Sequence, residues 1–557
     1  MAASKETAKV KVIIVGGGIA GLTLANALQH GDTEYVLLEA RDKIAPQLGA
    51  SIGLRPNGSR ILDQLGCYDD IMNLTDPIEF TASHRPDRSL MRPPTDAFQL
   101  VQARANYCMC FLDREAVLQV LADHIRDKDR ILLTKRVRSI QHRADGVVVA
   151  CEDGTSYHGD VVVGSDGVYS RVRQEMWRTA NETSPGEISQ REQESMTAEY
   201  KCLFGISEPH ADLPSHHFDV TYTKDLTPIV ITGKDERAYW FLIARMAEKY
   251  RMGNIPRFTR QDAQVFAEEH LDVALAPEGK KTYTLVALEE AYFSNWTWGR
   301  FALLGDSVHK MTPNMGSGGN CAIESAATLA NALHELATHP REQLPTVQEV
   351  EKALHQYQQI RNLRASSTVR MSNYITRLHA VRSFKEKIVA YYVMPKAGDL
   401  LVDLASLSWI GATRIEHLDL PRRSFGGTMP FNPEQGLGRS ENMVSRALLS
   451  TPLLALGIYH LRVLNRFVPR QAIQAAVKAG YLSLGHAPVR LWERFYRIPV
   501  LDQTWRGIVT LFLPSVMGFD PASKLQLSTA LADFGTVYAI ILIESARRAN
   551  ALTPMRI

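Results

Sequence analysis

The feature that most constrains this chain is a glycine-rich stretch near its start, KVIIVGGGIAGLTLANAL. The apolar run before the glycines is typical of a buried parallel strand, and the residues after them have the apolar spacing of a helix. Gly16, Gly18 and Gly21 stand where such a unit needs a tight turn, a close approach of backbone to a pyrophosphate and close packing of helix on strand. A second apolar strand leads to Glu39, 18 residues after Gly21, where a carboxylate can bind a ribose 2′-hydroxyl. The stretch predicts a dinucleotide site, and the acid favours FAD or NAD over NADP.

A second glycine-rich turn, GDSVHKMTPNMGSGGNCAIE, begins at residue 305. A short apolar strand leads into Asp306, whose carboxylate can bind sugar or ribityl hydroxyls, and Pro313 stiffens the loop that follows. Gly316–Gly319 then precede a helical pattern, whose N-terminal N–H groups suit an anion. The sequence after this turn lacks the strand and acid of a second adenine dinucleotide site. We therefore expect the two turns to hold the two ends of one cofactor, FAD.

Three segments carry a family resemblance. They are GGGIAG with Glu39, the segment VVVGSDGVYSRVR around Asp166 and Gly167, and the turn at Gly305 and Asp306. In this order they resemble the single-component FAD-dependent monooxygenases of the para-hydroxybenzoate hydroxylase fold. The stretches IAPQLGASIGLRPNGSRILDQLG and FLDREAVLQVL are also similar to the fungal monooxygenases of meroterpenoid and indole-diterpene pathways, the paxilline-type epoxidases.

The resemblance implies roles for single residues. FAD contacts in these relatives fall at positions matching Glu39, Gly53, Arg114, Asp306 and Gly319, and the turn at Asp166 supports the cofactor site. Tyr222 matches the active-site position of similar epoxidases, where its phenol would orient substrate. From the residues alone, Arg114 is also compatible with a solvated arginine at a helix start, and Gly53 with a turn glycine. Asp166 is likewise compatible with a loop-stabilising residue and Tyr222 with a packed sheet tyrosine. His309 is expected to be structural, and Lys201 is assigned no role.

The order of predicted elements gives the fold class. Runs such as TAEYKCLFGIS and RAYWFLIARM predict antiparallel strands, which in this fold would cover the substrate pocket. We expect an α/β protein in which a Rossmann-like FAD-binding domain is interleaved with a mostly antiparallel β-sheet substrate domain, followed by a helical C-terminal extension. The expected bounds are 1–180 for the first part of the FAD-binding domain, with a short substrate-domain insert near 75–105, then 181–291 for the substrate domain, 292–380 for the second part of the FAD-binding domain, and 381–557 for the extension.

The end of the chain differs in charge and hydropathy from the rest. Residues 441–557 hold 13 Lys and Arg against 6 Asp and Glu, whereas the 557-residue chain has a net charge of only +3. Apolar runs of 15, 13 and 10 residues lie at 447–461, 507–519 and 534–543, each shorter than the ~20 residues of a spanning helix. A basic apolar region suits an anionic membrane surface, and a buried helical subdomain is the alternative. With the resemblance, this predicts membrane association, at the endoplasmic reticulum with the catalytic part facing the cytosol.

Composition argues against other classes of function. The nearly neutral chain has no basic footprint for nucleic acid. Its six cysteines form no CxxC and have no histidine cluster at zinc spacing, so we expect no metal site and a reducing compartment.

The resemblance also implies a reaction. We expect an enzyme that binds FAD, is reduced by transiently bound NADPH, and uses O2 to epoxidise a prenyl-chain alkene of a lipophilic terpenoid–aromatic intermediate in fungal secondary metabolism. A membrane-embedded terpene cyclase opens such epoxides, so a functional link to one is implied. Aromatic-ring hydroxylation is the alternative, and a non-catalytic flavoprotein scaffold is a remote one. Flavin halogenation is disfavoured because Trp296-Thr297-Trp298-Gly299 does not match WxWxIP.

Overall fold

The computed structural model of the chain describes residues 9–431, apart from residues 32, 47–49, 210–212, 275–281, 340–342, 397–401, 403–404, 407 and 430. The chain divides after Gly427 into two units, and nearly everything described belongs to the first. The three C-terminal apolar runs lie outside the described residues. Within the part of the chain that is described, no helix is long and apolar enough to cross a membrane.

The secondary-structure elements follow in chain order. The strands are β1 (Lys11–Val15), β2 (Glu34–Leu38), β3 (Ser51–Leu54), β4 (Pro77–Ile78), β5 (Phe80–His84), β6 (Met109–Asp113), β7 (Ile131–Leu132), β8 (Val137–Arg143), β9 (Gly146–Cys151), β10 (Ser156–Gly159), β11 (Val161–Gly164), β12 (Thr197–Ser207), β13 (His217–Thr221), β14 (Leu226–Thr232), β15 (Ala238–Arg251), β16 (Thr282–Tyr292), β17 (Thr297–Trp298), β18 (Phe301–Leu303) and β19 (His309–Lys310). The α-helices are α1 (Ile19–Leu28), α2 (Pro56–Gln64), α3 (Tyr68–Met72), α4 (Ala97–Ala105), α5 (Arg114–Asp123), α6 (Arg171–Thr183), α7 (Gln190–Gln193), α8 (Arg260–Ala274), α9 (Gly318–Thr338), α10 (Val347–His379) and α11 (Phe384–Ile388).

A six-stranded sheet carries the cofactor half of the fold. Its order is β17-β18-β11-β1-β2-β7, and all its pairings are parallel except that of β17 with β18. All residues of β11, and all of β1 except its first, are buried, which is why both read as apolar runs. The chain leaves β1 toward β2 on one side and returns as β11 on the other. The carboxyl ends of β1 and β11 therefore flank the switch point at which sheets of this kind bind ligands.

A seven-stranded sheet forms the second half. Its order is β19-β16-β12-β15-β14-β13-β5, antiparallel except for the pairing of β13 with β5. The antiparallel sheet expected from the alternating runs is confirmed, and TAEYKCLFGIS is strand β12. Its edge strand β5 comes from the 75–105 segment, whereas the opposite edge, β19, was not predicted. Both faces of this sheet are covered by apolar residues. Helix α8 packs on one face, and on the other lies an apolar cluster that includes Tyr222 and Leu378.

Helix α10 spans both halves. It begins with a capping box in which Thr346 and Glu349 satisfy each other's backbone N–H groups. Its first part packs on α9. Near its end, Arg377 pairs with Glu290 of β16 at 2.8 Å and with Glu199 of β12 at 2.9 Å. One continuous helix therefore connects the cofactor half to the seven-stranded sheet.

After α10 the described chain has short helical turns and then an irregular segment, residues 408–418, which we call the strap. Trp409 of the strap is fully buried. The side chains of α2 and α9 bind its backbone: Gln64 donates to the carbonyl of Ile415 at 2.9 Å, and Asn331 to that of Arg414 at 2.8 Å. The strap therefore closes over these two helices.

Candidate active site

The first glycine turn joins the ends of β1 and β11. Gly16 has φ of +106°, and a Cβ there would lie 2.5 Å from the carbonyl oxygen of Ser165. A Cβ on Gly21 would lie 2.6 Å from Ser165 Oγ and would overlap the carbonyl oxygen of Gly16. A side chain at either position would therefore push α1 away from the sheet, so the close packing predicted for this motif is present.

The start of α1 is an open cradle. Among the described residues no side chain caps the helix at Gly18, and the first N–H groups of a helix have no intrahelical partner. In that part of the chain, a Cβ on Gly18 would have one neighbour within 4 Å, the guanidinium of Arg114 at 3.6 Å. Uncapped N–H groups at the positive end of a helix, facing an arginine, fit the pyrophosphate of a dinucleotide.

Glu39 lies at the end of β2 beside this cradle. One carboxylate oxygen accepts a hydrogen bond from the backbone N–H of Gly17 at 2.7 Å, and the other accepts from that of Arg41 at 2.9 Å. These bonds fix the carboxylate, and each oxygen keeps a lone pair for a further donor. The position suits a ribose hydroxyl.

Arg114 brings the two predicted ends of the site together. It begins α5, and its backbone N–H donates to Ala50 at 3.0 Å. Burial lowers the pKa of Arg114, the charges of Asp306 and Glu39 oppose this, and the charge of Arg41 adds to it. The guanidinium thus lies beside Gly18, and its charge interacts with those of Asp306 and Glu39.

The second glycine turn packs directly on the first. Gly305 has φ of +69°, and a Cβ there would lie 3.0 Å from Cβ of Ala20 in α1 and 3.3 Å from Cβ of Ala322 in α9. The following Asp306 pairs with Lys310 at 2.7 Å. Burial alone would raise the pKa of Asp306, but the charge and hydrogen bond of Lys310 outweigh it and lower that pKa. Asp306 is therefore a carboxylate at neutral pH, ready to accept from hydroxyl groups.

The N-terminus of α9 forms the far end of the site. Gly316 has φ of +59°, and its Cβ position lies 3.9 Å from Cα of Gly53 in β3. A Cβ on Gly319 would lie 2.7 Å from Cδ1 of Ile52. Asn320 bridges the same elements, since its amide donates to the carbonyl of Gly53 at 2.8 Å. Gly53 and Gly319 thus lie where β3 meets the start of α9, and no side chain of the described residues caps α9 at Ser317.

Asp166 stabilises a turn at the end of β11. Its Oδ2 accepts from the backbone N–H groups of Arg171 at 2.6 Å and Val172 at 3.1 Å, at the start of α6. Its other oxygen is buried and has no partner among the described residues. Burial raises the pKa of Asp166, and these hydrogen bonds oppose the rise.

Arg173 connects this turn to the second glycine turn. Its guanidinium donates to the carbonyls of Ser307 at 2.6 Å and Val168 at 2.8 Å, and lies 4.3 Å from the ring centre of Phe293. Burial lowers the pKa of Arg173 to about 10, so it stays charged at neutral pH. The sequence analysis did not identify this residue, although it lies in the segment VYSRVR.

Tyr222 lies outside the cradle, just after β13. It is buried, and burial raises its pKa to about 12, while a hydrogen bond with Ser83 and the charge of Arg92 oppose the rise. Its ring packs edge-on against His379 at 4.9 Å. Nδ1 of His379 lies 3.3 Å from the side-chain amide of Asn314, in the loop that leads to Gly316. Tyr222 therefore reaches the second glycine turn through two residues that were not predicted.

The end of α10 holds that same loop by one stripe of side chains. Ser372 donates to the carbonyl of Thr312 at 2.6 Å, and Thr376 donates to Oδ1 of Asn314 at 2.6 Å. With His379, these residues recur every three or four positions and so share a helix face.

His309 and Lys201, the two residues to which the sequence assigned no catalytic role, have structural surroundings. His309 is fully buried with Nε2 3.0 Å from Ser325 Oγ, and burial and the charge of Arg361 lower its pKa to about 4. Lys201 Nζ lies 4.2 Å from the ring centre of Phe266 on the α8 face of the sheet. Among the residues described, no group of three or more His, Cys, Asp or Glu could hold a metal ion.

A buried ion cluster behind α9 was also missed. Glu324 pairs with Arg361 and with Arg364, and it accepts from Asn57 at 2.6 Å. Burial would raise the pKa of Glu324, but the two arginines lower it to about 2. A glutamate inside the otherwise apolar run CAIESAATLA was the signal available in the sequence.

Sequence comparisons agree with this geometry. The profile of the FAD binding domain family matches residues 9–372. The FAD-dependent monooxygenase verC1 of Penicillium polonicum is 38% identical, over 98% of this chain and 69% of that protein. The FAD-dependent monooxygenase anuJ of Penicillium roqueforti is 40% identical, over 98% and 68%. The FAD-dependent monooxygenase ptmM of Penicillium ochrochloron is 40% identical over 98% of its own length but 73% of this chain.

Solved structures share the fold at lower identity. Klebsiella pneumoniae HpxO, complexed with FAD and uric acid, has a TM-score of 0.58 at 22% identity, covering 72% of this chain and 96% of that one. A salicylate hydroxylase substrate complex has a TM-score of 0.54 at 19% identity, covering 72% and 98%. At these identities the similarity supports the arrangement of sheets and helices but does not identify a substrate.

Proposed function

This chain belongs to the FAD binding domain family and is an FAD-dependent monooxygenase, and we propose that it epoxidises a prenyl-chain alkene of a lipophilic terpenoid–aromatic molecule with NADPH as reductant. A monooxygenase of this kind takes a small-molecule substrate and O2. The epoxide is the kind of product that a terpene cyclase can open, so a functional link to such a cyclase belongs to the same proposal. Ring hydroxylation of the aromatic part is the competing outcome.

The observation that supports a lipophilic substrate is the face of the seven-stranded sheet opposite α8, which we call the apolar chamber. Phe111 connects it to the cofactor site, because its ring lies 3.0 Å from the Cβ position of Gly53 and 5.8 Å from the ring of Phe241. Several of the chamber's apolar side chains are only partly buried although they face inward: Phe98, Phe204, Ile206, Phe218, Phe241, Val286 and Tyr374. Aromatic and aliphatic walls beside the expected ring site suit a prenyl chain.

Each residue of the cradle is assigned to the part of FAD that its chemistry suits. When bound, FAD supplies the electron transfer and the activation of O2. The N-terminus of α1 and Arg114 would hold the pyrophosphate, Glu39 the ribose and Asp306 the ribityl hydroxyls. The uncapped N–H groups of α9 would stabilise negative charge at the ring. The open helix starts, and the free space beside Gly18 that a side chain would occupy, fit this assignment.

The chain's own residues bring little acid–base chemistry to the chamber. Tyr222 stays protonated at neutral pH because burial raises its pKa to about 12, so its hydroxyl can donate a hydrogen bond. His379 stays neutral because burial lowers its pKa to about 4. An alkene epoxidation needs a dry, shaped pocket more than a general acid or base. These side chains therefore orient substrate and exclude water.

The test uses the full chain loaded with FAD, supplied with NADPH, 18O2 and aromatics that carry farnesyl or geranylgeranyl chains. We expect one 18O on a prenyl alkene, dependent on NADPH, with the label located by mass spectrometry. Label on the aromatic ring would make the enzyme a hydroxylase. A flavin that NADPH does not reduce, together with no labelled product, would favour the non-catalytic scaffold instead.

A matched pair of variants tests the role of the chamber. Phe204→Asn places an amide in the chamber, and Leu226→Asn makes the same kind of change on the α8 face. We expect Phe204→Asn to raise KM for the prenylated substrate by about tenfold, since an unpaired buried amide costs about 1–3 kcal/mol, and Leu226→Asn to leave KM unchanged. Equal effects would remove the chamber as the substrate site.

A further inference from the structure

An exposed apolar stripe follows α10, on the outer side of the wall of the chamber. The helical run from α11 continues as a π-helix at Val389–Val393. On its outer face Phe384, Ile388 and Tyr392 are 77%, 41% and 65% exposed, and Val393 is 38% exposed. Phe384, Ile388 and Tyr392 are spaced four apart and so share one face of the helical run, and Val393 follows Ile388 by five residues, the repeat of a π-helix, so it borders the same surface. We call them the apolar stripe.

The inner face of the same run belongs to the chamber. Val389 and Ala390 are buried in the apolar cluster that contains Tyr222. The hydroxyl of Tyr391 donates to the backbone carbonyl of Tyr222 at 2.8 Å. A single helical layer therefore separates the chamber from the stripe.

Basic residues border the stripe. Lys385 and Lys387 are exposed on α11, and Glu386 between them is hydrogen-bonded to Ser383. The loop after β5 contributes Leu90, 45% exposed, and Arg85, whose guanidinium donates to the carbonyl of Leu90 at 2.9 Å. Burial raises the pKa of Tyr391, and the nearby charge of Arg85 partly offsets this.

The size and the charge of this surface identify its partner. The four exposed side chains of the stripe present on the order of 400 Å2, less than the ~800 Å2 per partner of a stable protein interface. An apolar stripe that contains aromatics and is flanked by lysine and arginine matches the layer between acyl chains and anionic headgroups. We propose that the apolar stripe inserts into the surface of an anionic membrane, with the wall of the chamber facing the lipid.

Other parts of the chain can also bind lipid, so the experiment measures the environment of a dye attached to the stripe and not vesicle binding alone. Single cysteines are introduced as Phe384→Cys and Tyr392→Cys, with Ile360→Cys on α10, 56% exposed, as the matched control. All six native cysteines are buried, so a nitrobenzoxadiazole maleimide reacts preferentially with the new thiol. The full FAD-loaded chain is mixed with vesicles of phosphatidylcholine and phosphatidylserine at 7:3, and then with vesicles of phosphatidylcholine alone.

With anionic vesicles we expect dye emission at both stripe positions to shift to the blue and to brighten severalfold, and dye at the control position to remain as in water. The double variant Lys385→Glu/Lys387→Glu should reduce the response at Tyr392→Cys at least threefold, and 0.5 M salt should do the same by screening. Vesicle-bound protein whose stripe dyes still report water would overturn the proposal. So would dyes already shielded before vesicles are added, which would mean that a second copy or another part of this chain covers the stripe. None of these readouts needs turnover, so the result is independent of the epoxidase test.

Discussion

The bonds of Glu39 allow a sharp test of the cofactor site by Glu39→Gln. The carboxylate accepts two backbone N–H groups, from Gly17 at 2.7 Å and Arg41 at 2.9 Å. A glutamine has one acceptor and one donor at its end, so in either orientation its NH2 group faces one of those N–H groups. The variant therefore keeps the shape of the side chain but breaks one bond of the turn.

The magnitude follows from the chemistry of the remaining acceptor. A hydrogen bond to a charged group contributes about 1.5–3 kcal/mol and a neutral one about 0.5–1.5 kcal/mol. Replacing the carboxylate should therefore cost FAD binding about 1–2 kcal/mol, which corresponds to a Kd raised about 5- to 30-fold. Glu39→Ala, which removes both acceptors, should weaken binding further.

Fluorescence titration of the apoprotein with FAD measures the effect. The matched control is Glu34→Gln, an exposed acid at the start of the same strand, for which we expect an unchanged Kd. Circular dichroism of each apoprotein separates loss of binding from loss of fold. If Glu39→Gln bound FAD within twofold of the parent, the assignment of Glu39 to the ribose would be wrong.

Three further predictions concern packing, buried charge and the coupling of the two halves. Gly21→Ala should weaken FAD binding about 10- to 100-fold, because overpacking of this kind costs about 1–3 kcal/mol, and flavin absorbance per chain after gel filtration measures it. Glu324→Gln should lower stability by about 3 kcal/mol, because the buried Arg361 and the half-buried Arg364 lose their carboxylate partner, with the exposed Glu335→Gln as control. The pKa of Glu324 in the folded protein lies at about 2, below the ordinary value of 4.5 for a glutamate. Its contribution is therefore complete above pH 4.5 and fades as the pH falls toward 2, so the melting temperatures of parent and Glu324→Gln should converge in acid. His379→Leu should leave FAD content unchanged but raise the H2O2 released per NADPH severalfold, since Asn314 loses a partner, whereas the exposed His355→Leu should not; equal coupling in both would refute the link.

Much of the cofactor half could be predicted from the sequence because local signals specify it. The glycines of the first turn, the strand and the helix around them depend on neighbours within a few positions, so GGGIAG identifies the whole unit. Alternating runs such as TAEYKCLFGIS identify strands in the same way, since a half-buried strand repeats every two residues.

The residues that join distant segments could not be predicted in this way. Arg173, Asn320 and His379 act through partners far away in the sequence: Arg173 bonds to Ser307, and His379 contacts Tyr222. Their local patterns resemble those of ordinary helix residues. The strand β19 was missed for the same reason, because two residues are too few for a periodic signal and pairing with β16 alone defines it.

Helix α10 sets the spacing between the two halves of the molecule. Its side chains at 372, 376 and 379 bind the loop before α9, and Arg377 forms an ion pair with the seven-stranded sheet. The distance from that loop to the seven-stranded sheet is therefore set by one rigid helix, and one inserted residue would rotate everything after it by about 100°. Chamber side chains on the strands, such as Phe204 and Phe241, can change without altering this helix, whereas Tyr374 and Leu378 are part of it. We therefore expect substitutions on those strands to reshape the chamber while the spacing between the loop and the sheet, which α10 sets, stays the same.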